Sequence, residues 1–490
     1  MAFLTEAANR GSISTGYDID YSLKLEPDNS ESLTYTGTQS SAGNAKTWTW
    51  SGWIKRTELD AHTYLFSAGY TGFQFMGTEN WLRLELYNGS TTYYLDLDMV
   101  FRDTSAWYHI VGQVDTTQAT AADRVKIWIN GVLQTEFRAS TNYTNISQNA
   151  EFQIGKTGSS ANWLKVGDWY AGGRYLAAYI AEWHYTDGVA NDADAFGEFD
   201  DDTNIWKPIE YKGSYGTNGY YLDFSDSANL GDDANGSFSF TEGNITAADQ
   251  ATDTPTNNFA TLNVLHKNSG SGGTSNNSIF TEGNTKITGN LSGYWQSGVS
   301  TMGITSGKWY FEAKAYDSNT HISAVGYGDE GDIENWAVGN DFPGTSGSKS
   351  YAYIGGPASG YGQISPSTNQ PSPAVTYNQT NIIGVAIDAD NGYVYWSKDG
   401  TYINSGNPAS GSSGTGGIAV PTGTGTNGTL FPAVGFYYHT TIPAMLVNFG
   451  GYTQFTISSP ASDANGYGTF EYAPPSGYYA LCTKNLAEYG

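Results

Sequence analysis

Residues 124–133 read RVKIWINGVL. Val125, Ile127 and Ile129 alternate with Lys126 and Trp128, and Asn130-Gly131 interrupts before apolar residues resume. Alternation with period two places one set of side chains on each face of a strand, and an Asn-Gly pair supplies the positive φ of a tight hairpin. The same pattern recurs in TWTWSGWIKR at 47–56, WLRLELYNG at 81–89 and KWYFEAKAY at 308–316. A second hairpin signal, Asn391-Gly392, separates GVAID from YVYWS. These segments are rich in aromatic and β-branched residues and are bounded by turn formers. The best short helical stretch is NDADAFGEF at 191–199. The expected fold class is therefore all-β, with two antiparallel β-sandwich domains in tandem.

Composition sets limits on function. The 490 residues carry 22 Lys+Arg against 48 Asp+Glu, a formal charge of −26. Binding to nucleic acid or an anionic membrane through a general basic field is excluded on that balance, because phosphate contacts need clustered cations. Only 14% of residues are charged but 15% are aromatic, so the chain has the apolar content to fold. Residues 259–490 hold only 14 acids and 7 bases, and no arginine follows Arg174. A surface of Ser, Thr, Asn, Gly and Tyr suits neutral polar partners. One cysteine, Cys482, permits no intrachain disulfide and reads as a small strand residue. The opening MAFLTEAANR has neither a charged n-region nor an apolar h-region, and no run is long enough for a membrane-spanning helix. Synthesis in a cytoplasm without a signal peptide is the expectation.

Two stretches poor in core residues divide the chain. Residues 226–299 include AADQATDTPTNN and NSGSGGTSNNS and read as a connection with short strands, whereas 405–429 reads as a long loop inside a domain. FTEGN occurs at 240–244 and again at 280–284, a sign of shared turn chemistry. The expected organisation is an N-terminal arm at 1–20, a first sandwich at 21–225, the connection, and a second sandwich at 300–490 with a closing strand.

The first domain resembles the laminin-G-like, concanavalin A-type domain of phage virion proteins. The resemblance rests on SLKLEPDNSESLTYTG, KTWTWSGWIKR, AWYHIVGQVDTT, DRVKIWINGVLQT and LAAYIAEWHYTDG. The second resembles the SPRY (B30.2-like) fold through SGKWYFEAKA, NIIGVAIDADNGYVYWSKDGTYI, LFPAVGFYY and MLVNFGG. The likeness implies a location in the virion, contacts with other virion proteins and with further copies of the chain, and recognition of a host surface glycan.

Both folds host many functions, so chemistry depends on particular residues. Glu330, Asp332 and Glu334 in GYGDEGDIENW have the alternate spacing of a glycosidase strand, but Gly331 and the end of a strand pattern favour an acidic loop. Asp187, Asp192 and Asp194 are candidate calcium ligands, although the acids at 187–202 lack an EF-hand rhythm. None of His62, His109, His184, His266, His321 and His439 stands beside a nucleophile motif, and no phosphate-binding loop occurs. No catalytic residues are expected. In the second domain Trp336, Asp341, Tyr361, Tyr437, Tyr438 and His439 are the candidate ligand-binding residues, because aromatic rings in loops stack on sugars while neighbouring polar groups read hydroxyls. The leading expectation is a non-catalytic virion adhesin for host glycans. The alternatives are a capsid-decoration or connector protein and, third, a glycan depolymerase.

Overall fold

The computed structural model describes residues 16–35, 43–154, 164–236, 238–266, 278–289, 294–315, 322–336, 342–345, 348–356, 362–366, 376–421, 428–437 and 444–490. Antiparallel sheets dominate it, and the only α-helices among the described residues are Glu330–Trp336 and Thr483–Tyr489. No helix among them is long and apolar enough to cross a membrane. The chain forms two compact units, one spanning Gly11–Asn257 and the other including Asn258–Gly490.

The Gly11–Asn257 unit is a sandwich of an eight-stranded and a seven-stranded sheet. The ten-residue strand Thr47–Arg56 lies between Tyr108–Asp115 and the equally long Ala178–Asp187. Trp48, Trp50 and Ile54 point inward from it to meet Leu65, Phe66, Phe73 and Trp183 in one core. Glycines make room for these rings: a Cβ on Gly112 would stand 2.4 Å from the Phe73 ring, and one on Gly52 would stand 2.8 Å from Trp183. The Asn130-Gly131 hairpin forms as expected, with Ile129 opposite Val132 and φ of 47° and 76° at the two turn residues. NDADAFGEF, however, holds only a single 3₁₀ turn, Ala193–Ala195, followed by the strand Gly197–Phe199, because Gly197 admits the Trp206 ring of the paired strand Trp206–Pro208.

The segment 226–299 is not a connection. Phe240–Gly243 pairs with Ser32–Tyr35 and Gln250–Ala251 pairs with Ser22–Leu25, so both complete the first sandwich. Ile279–Thr281, Lys286–Thr288 and Trp295–Val299 enter the sheets of the second unit. The strands are short, but Phe240, Ile287 and Val299 are buried in existing cores, which composition averaged over the segment conceals. Both FTEGN copies end in a left-handed asparagine, Asn244 at φ 58° and Asn284 at φ 62°. Of the expected N-terminal arm, residues 1–15 lie outside the described residues, while the Ile19 N–H donates to Thr256 Oγ1 at 3.0 Å within the first sandwich.

The second unit packs a nine-stranded against a five-stranded sheet. Lys308–Ala315 is the hub, pairing with Ile383–Asp388, Ala444–Asn448 and, in parallel, the expected closing strand Tyr479–Ala480. Cys482 follows that strand, fully buried. Within the 405–429 loop, Ile418–Ala419 pairs with Tyr393–Lys398. At the centre of the hub strand Glu312 is fully buried, and its carboxyl accepts the backbone N–H groups of Glu471 at 3.0 Å and Tyr472 at 2.8 Å, Asn448 Nδ2 at 3.2 Å and the Tyr310 hydroxyl at 3.2 Å. Burial outweighs these bonds and pushes the group up from 4.5 to about 7. Protonation is tolerated because the Tyr310 hydroxyl can turn from donor to acceptor.

A folded-state value above the ordinary one means that this group's stabilisation is complete below about pH 4.5 and lost as pH rises through 7. Taken alone, Glu312 should make the full chain about 3 kcal/mol more stable at pH 5 than at pH 8. Denaturant melts followed by tyrosine and tryptophan fluorescence check this, with Glu312→Leu flattening the dependence; a stability independent of pH across that window contradicts it.

Candidate functional site

On the outer face of the seven-stranded sheet, neighbouring strands set up a row of polar side chains. The register pairs Tyr64 with Gln74, Gln74 with Arg83, and Arg83 with Asp96. Glu85 collects the row: its Oε2 accepts the Tyr64 hydroxyl at 3.0 Å and Gln74 Nε2 at 2.7 Å. Burial raises the Glu85 carboxyl above its ordinary range against those two hydrogen bonds. Arg83 forks onto Asp96 at 2.7 and 2.8 Å, and its guanidinium lies 4.0 Å from the centre of the Tyr94 ring. His62 joins Gln74 to the Arg174 guanidinium, and burial, followed by the Arg174 charge, holds its imidazole below the usual value.

The end of the row is aromatic. Tyr70, 43% exposed, lies 4.9 Å from Tyr170 and 5.2 Å from Tyr87, while Trp169 lies 5.0 Å from Tyr170 (ring centroids). Arg174 sits 5.3 Å from the Trp169 ring and forms no ion pair among the described residues. The indole Nε1 of Trp169 likewise finds no acceptor. The segment 168–174, DWYAGGR, is fixed by the fully buried Asp168, whose Oδ1 accepts the backbone N–H groups of Trp169 at 2.8 Å and Arg174 at 3.0 Å. Lys165 holds the other oxygen at 2.8 Å. Gly172 and Gly173 supply the left-handed backbone, at φ 85° and 88°, that returns the chain to Arg174. Such an arrangement can stack a flat apolar ring face, donate to hydroxyls and attract an anionic substituent.

Sequence reasoning missed this face. Its signal was available in DWYAGGR, where two adjacent aromatics precede a glycine pair and the last arginine of the chain. Of the residues it selected instead, Trp336 is 1% exposed and packs with Val299, Ile333, Phe431 and Ala433, so its ring is not offered to a ligand. Tyr437 is half-buried on the five-stranded sheet beside Trp295, which stacks on Phe342 with centroids 3.6 Å apart. Asp341, Tyr361, Tyr438 and His439 lie outside the described residues.

The calcium candidates are not brought together. Asp187 is buried and accepts the backbone N–H groups of Asn44 at 2.6 Å and Asn218 at 3.0 Å, Asp192 accepts Gln113 Nε2, and Asp194 is exposed. Among the described residues no three His, Cys, Asp or Glu side chains are placed to hold a metal ion. Glu330, Asp332 and Glu334 lie on the helix Glu330–Trp336, neither a strand nor a loop. Asp332 is engaged by the backbone N–H groups of Lys349 and Ser350.

Among the described residues one serine–histidine contact is present, Ser51 Oγ to His109 Nε2 at 2.8 Å. The indole N–H of Trp206 donates to His109 Nδ1 at 3.0 Å, so the ring proton resides on Nε2 and points at the serine. Full burial pushes this imidazole down to about 3. In that tautomer it cannot take a proton from Ser51.

With this geometry in view, comparison with known proteins gives one family match: residues 28–194 fit the model of the concanavalin A-like lectin/glucanases superfamily. The match contains every residue of the aromatic and polar face described above. No curated protein sequence matches the chain. Among solved structures, a Bacteroides ovatus protein whose name assigns it to carbohydrate binding aligns at 13% identity, TM-score 0.32, over 46% of this chain and 58% of its own. The chain thus spans little more than half the length of that protein. The SPRY domain of human HERC1 aligns at 16% identity, TM-score 0.28, over 40% of this chain and 99% of its own. A Limulus polyphemus SAP-like pentraxin aligns at 14% identity, TM-score 0.28, over 47% and 97%. Superpositions this loose transfer no ligand or activity.

Removing the Asp168 carboxylate strands two backbone N–H groups and the Lys165 ammonium. Asp168→Ala should lower stability by about 2–4 kcal/mol and open the peptide bond after Arg174 to trypsin under native conditions. Limited proteolysis with fragment mass analysis checks it; equal resistance of the variant and the parent would contradict the assigned role.

Proposed function

We propose that this protein is a non-catalytic glycan-binding protein of the phage virion surface, a tail-fibre-like or head-fibre-like adhesin that contacts host polysaccharide. The observation that carries the glycan half is the exposed Tyr70, grouped with Tyr170 and Trp169 and bordered by Arg174, whose guanidinium bonds His62 and forms no ion pair among the described residues, on the sheet face of a concanavalin A-like domain. Aromatic rings bind the apolar faces of sugars, and a guanidinium beside them favours a carboxylate or sulfate substituent. The virion half is supported by the likeness of the sequence segments to phage virion proteins, and with it come neighbouring virion proteins and further copies of the chain as partners. The absence of catalysis is supported by the tautomer at His109 and by the structural engagement of Asp332.

A second reading, a connector or capsid-decoration protein, is favoured by the half-buried Trp295, Phe342 and Tyr437 group of the SPRY-like unit, a surface suited to protein contact.

The test is a glycan array and an adsorption assay on host cells with purified full-length protein. Binding should favour acidic over neutral glycans. Tyr70→Ala and Arg174→Ala should each weaken it about tenfold or more with an unchanged melting temperature, and Arg174→Ala should also remove the preference for acidic ligands. Absence of binding to any host surface component refutes the adhesin reading, and capture of the chain by other virion proteins through Tyr437 then supports the connector.

A further inference from the structure

Three ionisable side chains meet, buried, in the first unit, on the face of the eight-stranded sheet opposite the core entered by Leu23 and Leu25, at a place unconnected with the candidate binding face. Lys24, on the strand Ser22–Leu25, is fully buried. Its Nζ lies 2.8 Å from Asp249 Oδ1 and 3.2 Å from each carboxylate oxygen of Glu31. The Glu31 and Asp249 side chains are 1% and 8% exposed. Asp249 ends the 3₁₀ turn Ala247–Asp249, and its other oxygen, Oδ2, is held by the backbone N–H of Thr246 at 2.8 Å and the Thr246 hydroxyl at 3.1 Å. Glu31 is fixed in turn by the Glu26 N–H at 2.7 Å and Asn29 Nδ2 at 2.9 Å.

We propose that Lys24 and Asp249 join through an intramolecular amide bond, with Glu31 as the proton-transfer group. An amine in contact with a carboxyl, enclosed away from water, is geometrically prepared for condensation. Two donors on Asp249 Oδ2 are placed to stabilise the negative charge that develops on that oxygen as Nζ adds to Cγ. A second carboxyl touching the amine supplies the acid–base function.

In the reaction, Glu31 takes one proton from the Lys24 ammonium and passes it to Asp249 Oδ1, and the free Nζ lone pair attacks Cγ of the resulting neutral acid. Glu31 then takes a second proton from Nζ of the tetrahedral adduct and delivers it to the same Oδ1. The Cγ–Oδ1 bond breaks and Oδ1 departs as water. One ammonium and one carboxylate become one amide and one water, with no change of oxidation state and no co-reactant. Two effects favour the forward direction: a buried ion pair is replaced by a neutral group, and the closed interior excludes hydrolysis. Burial, followed in the same direction by the Asp249 charge, keeps the Glu31 carboxyl above its ordinary range against the Lys24 ammonium, which suits a group that must carry a proton. The bond would tie the first strand of the unit to a turn 225 positions later, closing nearly the whole Gly11–Asn257 unit into a covalent loop in a chain without a disulfide.

Intact-mass spectrometry of the purified, folded full-length chain tests this. The expected mass is that of the linear chain less one water, and digestion should give a branched peptide carrying Lys24 and Asp249. Glu31→Gln should restore the full linear mass. An unmodified mass in the parent protein after prolonged incubation overturns the proposal, whatever the variants do. A water deficit that maps to the other buried pair, Lys55 and Asp253 at 2.7 Å, also overturns it. Retention of the deficit in Glu31→Gln overturns the role of Glu31.

Discussion

Buried carboxylates that accept backbone N–H groups hold this structure together away from its sheets. With no disulfide and only two short helices among the described residues, the long connections have few regular hydrogen-bonding partners. Asp187 gathers the backbone at Asn44 and Asn218, and Asp233 gathers Tyr221, Asn235 and Phe238. Asp463 does the same for Asn465, Tyr467 and Ala480. A hydrogen bond to a charged group is worth about 1.5–3 kcal/mol, and an orphaned buried donor costs a similar amount. Loops that would otherwise be indeterminate thereby acquire single conformations.

This constraint revises the meaning of the net charge. Read from composition, the acids are a solvated field that keeps crowded copies apart. Many are instead internal clamps, and the acidic surplus partly reflects the number of backbone donors that need a partner. The same economy positions the candidate binding face. Asp168 holds DWYAGGR against the sheet, and Arg174 emerges beside Trp169 because the carboxylate fixes its backbone rather than its guanidinium. Its guanidinium is instead bonded to the His62 imidazole.

The two sandwiches also differ in how their buried polar groups are arranged. In the first, cations meet acids: Lys24 with Glu31 and Asp249, and Lys55 with Asp253. In the second, Glu312 is surrounded by neutral donors, and burial without a countercharge lifts its carboxyl to about 7. The first arrangement brings reactive groups into contact, and the second ties stability to pH.

The strands were legible in the sequence because period-two alternation is a local consequence of sheet geometry. TWTWSGWIKR, RVKIWINGVL and KWYFEAKA fold as read, and so does the Asn130-Gly131 turn. The all-β class followed from these alone, whereas the expectation of two sandwiches rested on chain length and on the resemblance of each half to a known domain. The unit boundary at 257/258 did not, because short strands such as Gln250–Ala251 are defined only by partners more than 200 residues away. Neither did the candidate binding face. Tyr64, Tyr70, Glu85 and Arg174 converge through strand register and one clamped loop, and Trp336 looked like a loop aromatic until its helix turned it into the core. Sequence alone determined which residues alternate and where the chain turns. The tertiary structure decided which acids are solvated and which are buried against backbone donors, since that depends on contacts between distant segments.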